Sequence, residues 1–284
     1  MLSNYKLNFD RLKNNMINIK AKKKFGQNFL KDESVLFKII ESMPNNDNHI
    51  VEIGPGLGDL TKKLVKCKDV TAYEVDMDLY AILQTEFIKE IDSGRFEILL
   101  GDVLERWEDG QSLYESKYDL IANLPYYIAT NIILKALDDD NCENIMVMVQ
   151  KEVANKFSAK TGDKDFSSLG VITELVSKKS EIVVTVPPES FSPPPKVDSA
   201  VVHIVKNMDK KVDTKLKEFL KLCFCQPRKK LIKNLSSTFD KALLEKIFDE
   251  LELKQTIRPH EVEASLYSLL YKGIKNGRDT TSTN

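Results

Sequence analysis

The chain has 284 residues, of which 42% are hydrophobic and 30% charged, with a formal net charge of -1. This composition is ordinary for a globular protein, and the length predicts one large domain followed by a small one. No apolar run approaches the ~20 residues of a membrane-spanning helix, so we expect no membrane segment. The four cysteines lack the spacing of a metal site or a disulfide framework, which predicts a cytoplasmic protein without a bound metal.

The predicted elements fall into three regions. Residues 1–20 form an N-terminal extension to which the sequence assigns no role. Between residues 21 and 206, short apolar runs that resemble strands alternate with helical patterns, which is typical of a parallel sheet with helices on both faces. Only helical patterns remain in residues 207–284, so we expect an α/β domain followed by a small helical domain.

The first motif with chemical meaning is the glycine-rich turn VEIGPGLGDLT at residues 51–61. Gly54 and Gly56 lie between a predicted strand and a predicted helix, so the backbone there can turn tightly and let a ligand approach closely. NAD-dependent enzymes and other nucleotide-binding proteins have similar turns, and a tight turn without a ligand also fits. The turn alone therefore does not identify a ligand.

Two acidic residues end the next predicted strands. At the end of TAYEV, the carboxylate of Glu74 can accept hydrogen bonds from both hydroxyls of a ribose. One strand later, Asp102 can accept a hydrogen bond from an adenine amine. Because the carboxyl ends of neighbouring parallel strands meet at one edge of a sheet, we expect the turn and both acids to form one adenosine site.

The most specific motif is Asn123-Leu124-Pro125-Tyr126, which follows the predicted strand YDLIA. An exocyclic adenine amine is a poor nucleophile because its lone pair is delocalised into the ring. The side-chain carbonyl of Asn123 and the backbone carbonyl of Leu124 can accept its hydrogens, while Pro125 fixes the backbone that aims the second carbonyl. Tyr126 offers a face on which a flipped base can stack. The motif indicates methyl transfer to an adenine amine, although a buried turn with a core tyrosine also fits.

Basic residues cluster in spite of the net negative charge. Residues 20–24 contain four lysines, and residues 221–233 contain cations without a single acid. A phosphate backbone responds to such local patches rather than to the net charge, although lysine runs are also common on ordinary solvated surfaces. The candidate RNA-binding residues of the second cluster are Arg228, Lys229, Lys230 and Lys233.

The motifs of this chain resemble those of the KsgA-type rRNA adenine dimethyltransferases. The resemblance rests on FGQNFL at residues 25–30, EIGPGLG, NLPYYIAT, QKEVANKF and ESFSPPPKVDSAVV, and it extends past Lys233. It implies a Rossmann-like class I methyltransferase sheet followed by a helical RNA-binding domain. The implied reaction is dimethylation of the N6 amines of two adjacent adenosines near the 3′ end of 16S rRNA. The implied methyl donor is S-adenosylmethionine, and the implied partner of this monomeric enzyme is the small ribosomal subunit.

The resemblance also implies roles for individual residues. Phe191 would close on the target base opposite Tyr126, and residues 225–235 would form the basic helix of the RNA-binding domain. The residues that would contact S-adenosylmethionine or line its pocket are Asn28, Leu30, Gly54, Gly56, Glu74, Asp102 and Asn123.

Three other readings share part of this pattern. A NAD-dependent oxidoreductase would have the glycine turn and Glu74, but it has no use for the NLPY motif at the fourth strand. An Erm-type methyltransferase of large-subunit rRNA shares most motifs, yet GQNFL and the basic C-terminal cluster favour the small-subunit enzyme. A non-enzymatic assembly factor that kept the fold would not need an intact Asn123, Pro125 and Tyr126.

Overall fold

The computed structural model of the protein describes Lys22 and residues 26–281. The predicted extension, residues 1–20, lies outside the described residues, as does most of the first lysine cluster. Two short 3-10 helices, Pro188–Ser190 and Pro259–Glu261, accompany the strands and helices. The strands are β1 (Phe29–Leu30), β2 (His49–Ile53), β3 (Val70–Glu74), β4 (Phe96–Leu100), β5 (Tyr118–Asn123), β6 (Cys142–Gln150), β7 (Ser177–Val186), β8 (Phe191–Ser192) and β9 (Ser199–Lys206). The helices are α1 (Glu33–Glu41), α2 (Thr61–Cys67), α3 (Met77–Glu86), α4 (Ile88–Asp92), α5 (Val103–Arg106), α6 (Ala129–Asp138), α7 (Lys151–Ser158), α8 (Ser168–Val176), α9 (Thr214–Cys223), α10 (Leu231–Leu235), α11 (Lys241–Glu250) and α12 (Ala264–Thr281).

The main sheet has seven strands in the order β4-β3-β2-β5-β6-β9-β7. The pairs from β4 to β6 are all parallel, which confirms the predicted parallel sheet. In the central pair, Ile50 lies opposite Asp119 and Val51 lies opposite Leu120. A strand order that places β2 between β3 and β5 brings the ends of β2, β3 and β5 to the same edge of the sheet, where ligands of such folds bind.

Buried apolar runs explain why these segments become central strands. Ile50, Val51, Leu120 and Ile121 are all fully buried, as expected of parallel strands that are covered on both faces. Carboxylates at strand ends start the helices that follow. The side chain of Asp76 accepts a hydrogen bond from the N–H of Asp78 at 3.1 Å and begins α3. Such caps fix where each strand gives way to its helix.

The described residues divide by their contacts into two compact units, which we call the sheet unit and the helical unit. The sheet unit extends to Lys151 and includes Ile182–His203, whereas the helical unit consists of Glu152–Glu181 and the chain from Ile204 onwards. This grouping differs from the predicted boundary after residue 206, because α8 packs against α9 and α12. The ring of Phe166 likewise contacts that of Phe224, with centroids 6.4 Å apart.

Within the part of the chain that the structure describes, no helix has both the length and the apolar character needed to cross a membrane. The described residues after 207 form four α-helices, α9 to α12, and no strand, as the helical patterns predict. One of them, α10, is much shorter than the basic helix that the sequence predicts.

Candidate active site and basic turn

A cleft lies at the carboxyl ends of β2 to β5 in the sheet unit. Its walls include the glycine turn after β2, the end of β3, the segment after β4 and the NLPY motif after β5. The structure therefore brings to one place every residue predicted to contact the methyl donor. These are Asn28, Leu30, Gly54, Gly56, Glu74, Asp102 and Asn123, and Leu124, Pro125 and Tyr126 line the same cleft.

Glu74 is fixed at the base of this cleft by backbone donors. Its Oε1 accepts from the N–H of Asp76 at 2.8 Å, and its Oε2 accepts from the N–H of Gly56 at 3.3 Å. The side chain is only 3% exposed, and this burial raises the pKa of Glu74 to about 7, against the opposing effect of the two N–H donors. Two hydroxyl donors from a ribose would favour the ionised carboxylate further.

Gly56 shows why the turn has to lack side chains. Its φ is +62°, a left-handed conformation that glycine adopts at little cost. A Cβ at this position would also stand 3.1 Å from the ring of Phe29, so that a side chain would be crowded as well as strained. The space beside Glu74 therefore stays open for a ligand that approaches the backbone.

One carboxylate oxygen of Asp102 is hydrogen-bonded to the protein backbone. Its Oδ1 accepts from the N–H of Leu104 at 2.8 Å and begins α5. Among the described residues its Oδ2 has no hydrogen-bond partner, so this atom can accept from a ligand amine. Asp102 lines the same cleft as Glu74, which suits the two ends of an adenosine.

Asn123 ends β5 and is held by the chain segment that follows the N-terminal extension. Its Nδ2 donates to the backbone carbonyl of Asn28 at 3.2 Å. Its Oδ1 has no hydrogen-bond partner among the described residues and is therefore available as an acceptor. The next peptide is fixed as well, because the N–H of Leu124 donates to the carbonyl of Met148 on β6.

Tyr126 is oriented by a residue far away in sequence. Its hydroxyl lies 2.6 Å from Oγ of Ser199, the first residue of β9, and Ser199 is fully buried. Burial also raises the pKa of the Tyr126 phenol, so the side chain is neutral at physiological pH. The ring is thus held in one orientation at the cleft wall, as a stacking platform requires.

Phe191 does not lie in the cleft. It is 4% exposed, it belongs to the core cluster with Leu30 and Val201, and it is not among the residues that line the cleft. Its position follows from strand pairing, because β8 runs antiparallel to β1 with Phe191 opposite Leu30. The structure therefore does not place Phe191 opposite Tyr126, as the sequence motif suggested.

Sequence reasoning passed over two groups at the cleft. Glu52 is fully buried and accepts from the Thr61 hydroxyl at 2.7 Å, and burial raises its pKa to about 8. The sequence VEIG places Glu52 directly before the glycine turn. It does not indicate that this carboxylate is buried with no cation beside it among the described residues. The second group is Tyr127, which is exposed and follows the NLPY motif directly.

The basic cluster of the helical unit forms a turn rather than the predicted helix. Pro227 interrupts the helical pattern, so the chain turns after α9 and only Lys233 of the four cations lies on α10. We call residues 224–230 the basic turn. All four candidate cations are exposed, and none forms an ion pair with another described residue. They are Arg228, Lys229, Lys230 and Lys233.

A buried side-chain amide fixes one end of the basic turn. Asn234 is 3% exposed, and its Nδ2 donates to the carbonyls of Cys223 at 2.7 Å and Gln226 at 3.2 Å. The N–H of Leu231 donates to the carbonyl of Ile257 at 2.8 Å and fixes the other end. In the sequence, Asn234 is one polar residue within a helical pattern, and nothing there indicates its hydrogen bonds to the basic turn.

Comparison with known proteins identifies close relatives. A protein-family model described as ribosomal RNA adenine dimethylase matches residues 18–273. The ribosomal RNA small subunit methyltransferase A of Aliarcobacter butzleri is 60% identical over 264 residues, covering 93% of this chain and 100% of that protein. The protein of the same name from Campylobacter fetus is 50% identical over 264 residues, covering 92% of this chain and 97% of that protein.

Solved structures agree on the fold. A dimethyladenosine transferase from Plasmodium falciparum matches with a TM-score of 0.73 at 23% identity, covering 85% of this chain and 95% of that one. The 23S rRNA methyltransferase ErmE matches with a TM-score of 0.67 at 24% identity, covering 87% of this chain and all of that one. The sheet is thus that of Rossmann-like methyltransferases, as predicted.

Proposed function

The chain belongs to the ribosomal RNA adenine dimethylase family, and we propose that it dimethylates the N6 amines of two adjacent adenosines near the 3′ end of small-subunit (16S) rRNA. It is an S-adenosylmethionine-dependent rRNA methyltransferase. The Asn123 amide supports this activity most directly. Its Nδ2 is held by Asn28, so its Oδ1 is available to accept from the target amine inside the cleft.

The cleft fits S-adenosylmethionine by the chemistry of its walls. A buried carboxylate, Glu74, suits the two hydroxyls of the ribose, and the free oxygen of Asp102 suits the adenine amine. The missing Cβ of Gly56 leaves room for close approach to the backbone. We assign the remaining contacts to Asn28, Leu30, Gly54 and Asn123, which line the same cleft.

When bound, S-adenosylmethionine supplies a methyl carbon attached to a positively charged sulfur. The chain's own contribution is to orient the amine, because the amine lone pair is tied up in the adenine ring. Acceptors at Asn123 and Leu124 draw the amine hydrogens out of the ring plane, and Pro125, which follows Leu124, restricts the backbone that aims the Leu124 carbonyl. The fixed ring of Tyr126 stacks on the flipped base and holds its amine in line, so proximity supplies much of the rate.

The role of Phe191 as the second face of the base site stays a prediction. Its ring is buried against β1 and the core and does not line the cleft.

The basic turn is assigned to the RNA phosphates. Its exposed cations lack carboxylate partners among the described residues, so binding to RNA breaks no ion pair there. We further propose that the enzyme works as a monomer in the cytoplasm on the assembled or nearly assembled small subunit.

The Erm-type alternative differs in substrate rather than in chemistry. The likeness to ErmE, at 24% identity, extends to the fold alone. The relatives at 60% and 50% identity are named for the small subunit, which favours 16S rRNA. A role as assembly factor without activity is disfavoured by the hydrogen-bonded geometry of Asn123 and Tyr126, which binding alone would not require.

A methylation assay with separated subunits tests the proposal. The protein is incubated with methyl-labelled S-adenosylmethionine and with small or large subunits from a strain that lacks this modification, and the label is mapped by nuclease digestion. We expect two labelled methyl groups on each of two adjacent adenosines of the small subunit. Label in the large subunit alone would move the protein to the Erm class, and the Asn123→Ala variant controls for contaminating methyltransferases.

A further inference from the structure

Two consecutive tyrosines line the cleft, and they differ in how the protein holds them. The hydroxyl of Tyr126 is fixed by Ser199, whereas the Tyr127 hydroxyl has no hydrogen-bond partner among the described residues. Tyr127 is also 60% exposed, which is unusual for a large ring in a cleft wall. The Tyr127 hydroxyl therefore has no hydrogen bond among the described residues that explains the position of the side chain.

The surroundings of Tyr127 belong to the adenosine side of the cleft. A Cβ placed on Gly26 would stand 3.4 Å from Cδ1 of Tyr127, so the ring lies against the backbone of the segment that leads to Asn28. Gly26 has a φ of +59°, which suits that close approach. Partial burial raises the pKa of the Tyr127 phenol, and the nearby charges of Asp102 and Glu74 raise it further. Both carboxylates are the groups assigned above to the adenosine.

We propose that Tyr127 is a positioning residue for the methyl donor, whose ring covers the bound adenosine while Tyr126 serves the target base. The inference rests on the proposed cofactor assignment of Glu74 and Asp102. An exposed ring gains free energy when an adenine or ribose face covers it, and stacking needs the ring rather than the hydroxyl. Because the hydroxyl has no partner among the described residues, a phenylalanine at this position should bind the methyl donor as well as the tyrosine does.

Calorimetric titration of S-adenosylmethionine in the absence of RNA tests this assignment. We expect Tyr127→Ala to raise the dissociation constant by about tenfold, the usual loss on removing one stacking ring, and Tyr127→Phe to change it by less than about twofold. Phe37→Ala is the matched control, because Phe37 on α1 is equally exposed, at 61%, and does not line the cleft.

A second readout covers the case in which the alanine variant folds poorly. Trp107 is the single tryptophan of the wild type, so the emission that Tyr127→Trp adds to the wild-type emission reports on position 127. The proposal requires that S-adenosylmethionine change this emission, whereas Phe37→Trp should show no change. Unaltered donor affinity in Tyr127→Ala together with a raised KM for RNA would overturn the proposal and assign Tyr127 to the target base. If wild-type protein binds the donor but labels no small-subunit RNA, the proposed function fails while the role of Tyr127 stands.

Discussion

The cleft and the basic turn are built in opposite ways. The side chains of the cleft stand at the ends of buried parallel strands, and each of Glu74, Asp102 and Asn123 is fixed by at least one hydrogen bond. The cations of the basic turn are exposed and lie outside regular structure, and the buried amide of Asn234 fixes the backbone of the turn. One region holds individual atoms in place, and the other holds a group of charges.

This difference matches what each region has to do. Methyl transfer depends on placing one amine against one carbon, so small displacements are costly. Phosphate contacts act through charge over several ångströms, position the enzyme and tolerate local rearrangement. Single substitutions should therefore have sharp effects in the cleft and graded effects in the turn.

The largest effect is expected from Asn123→Ala. It removes the acceptor assigned to the target amine, and loss of one such oriented group lowers turnover by roughly a hundredfold. Single-turnover rates must be measured at saturating donor and saturating subunit, since the substitution also removes the hydrogen bond to Asn28. RNA affinity should stay within about threefold of wild type. A variant that keeps its turnover but loses RNA affinity would contradict the distinction between the two regions.

A smaller effect is expected on donor affinity from Glu74→Ala. Loss of a charge-assisted hydrogen bond to the ribose should weaken S-adenosylmethionine binding by roughly 1.5–3 kcal/mol, while RNA binding stays near normal. Calorimetry with the donor alone measures this. Glu97→Ala is a suitable control, because Glu97 is an exposed acid on β4 outside the cleft lining. Equal donor affinities in the Glu74 variant and the wild type would remove Glu74 from the site.

Donor binding should also depend on pH through Glu74. Because its pKa is about 7, the carboxylate becomes ionised as the pH rises through neutrality and accepts more strongly from the ribose hydroxyls. We expect donor affinity to rise by roughly tenfold between pH 6 and pH 8 in the wild type. The Glu74→Gln variant should show a flat profile over that range, so a parallel rise in both proteins would point to another group.

The same pKa has the opposite consequence for the stability of the ligand-free protein. Burial raises the pKa of Glu74 from 4.5 to about 7. The contribution of Glu74 to the free energy of unfolding is therefore fully present below pH 4.5 and is lost as the pH rises through 7. Glu74→Gln should therefore unfold at a higher temperature than wild type at pH 8, and the gap should shrink toward pH 4.5. Thermal unfolding at both pH values without donor measures it.

The smallest effect per residue is expected in the basic turn. Replacing Arg228 and Lys229 together by alanine should weaken subunit binding by several-fold and lower the log-log salt slope by about one unit per lost contact. Turnover at saturating subunit should hardly change. Lys241→Ala with Lys246→Ala is the matched control, because both lysines are exposed on α11 but pair with Glu245 and Glu250. An unchanged salt slope in the first double variant would make the basic turn ordinary surface.

The contrast between the regions also explains what could be read from the sequence. Strand ends in a parallel sheet meet by topology, so Gly54, Glu74, Asp102 and Asn123 could be placed together without coordinates. The class of fold followed from the same alternation. Long-range hydrogen bonds such as that between Tyr126 and Ser199 join residues 73 positions apart, and no periodic pattern in the sequence indicates them.

The remaining differences come from tertiary packing that overrides local patterns. Phe191 was assigned to the base site from its motif, but pairing of β8 with β1 buries it. The predicted basic helix is a turn because Pro227 cannot continue α9 and the buried amide of Asn234 donates to the carbonyls of Cys223 and Gln226. Residues 152–181 look like part of the α/β series, yet α8 buries its apolar face against α9 and α12.

One short segment connects the two binding events of the reaction. Asn28 accepts the hydrogen bond that orients Asn123, and two residues on, Leu30 pairs with Phe191. The hydroxyl of Ser190 then donates to Asp32 at 2.9 Å. A ligand that moves residues 28–32 therefore changes the free energy of both the donor site and the segment that contains Ser190 and Phe191. Thermodynamic reciprocity makes that coupling symmetric. The factor by which bound S-adenosylmethionine changes the affinity for RNA equals the factor by which bound RNA changes the affinity for S-adenosylmethionine.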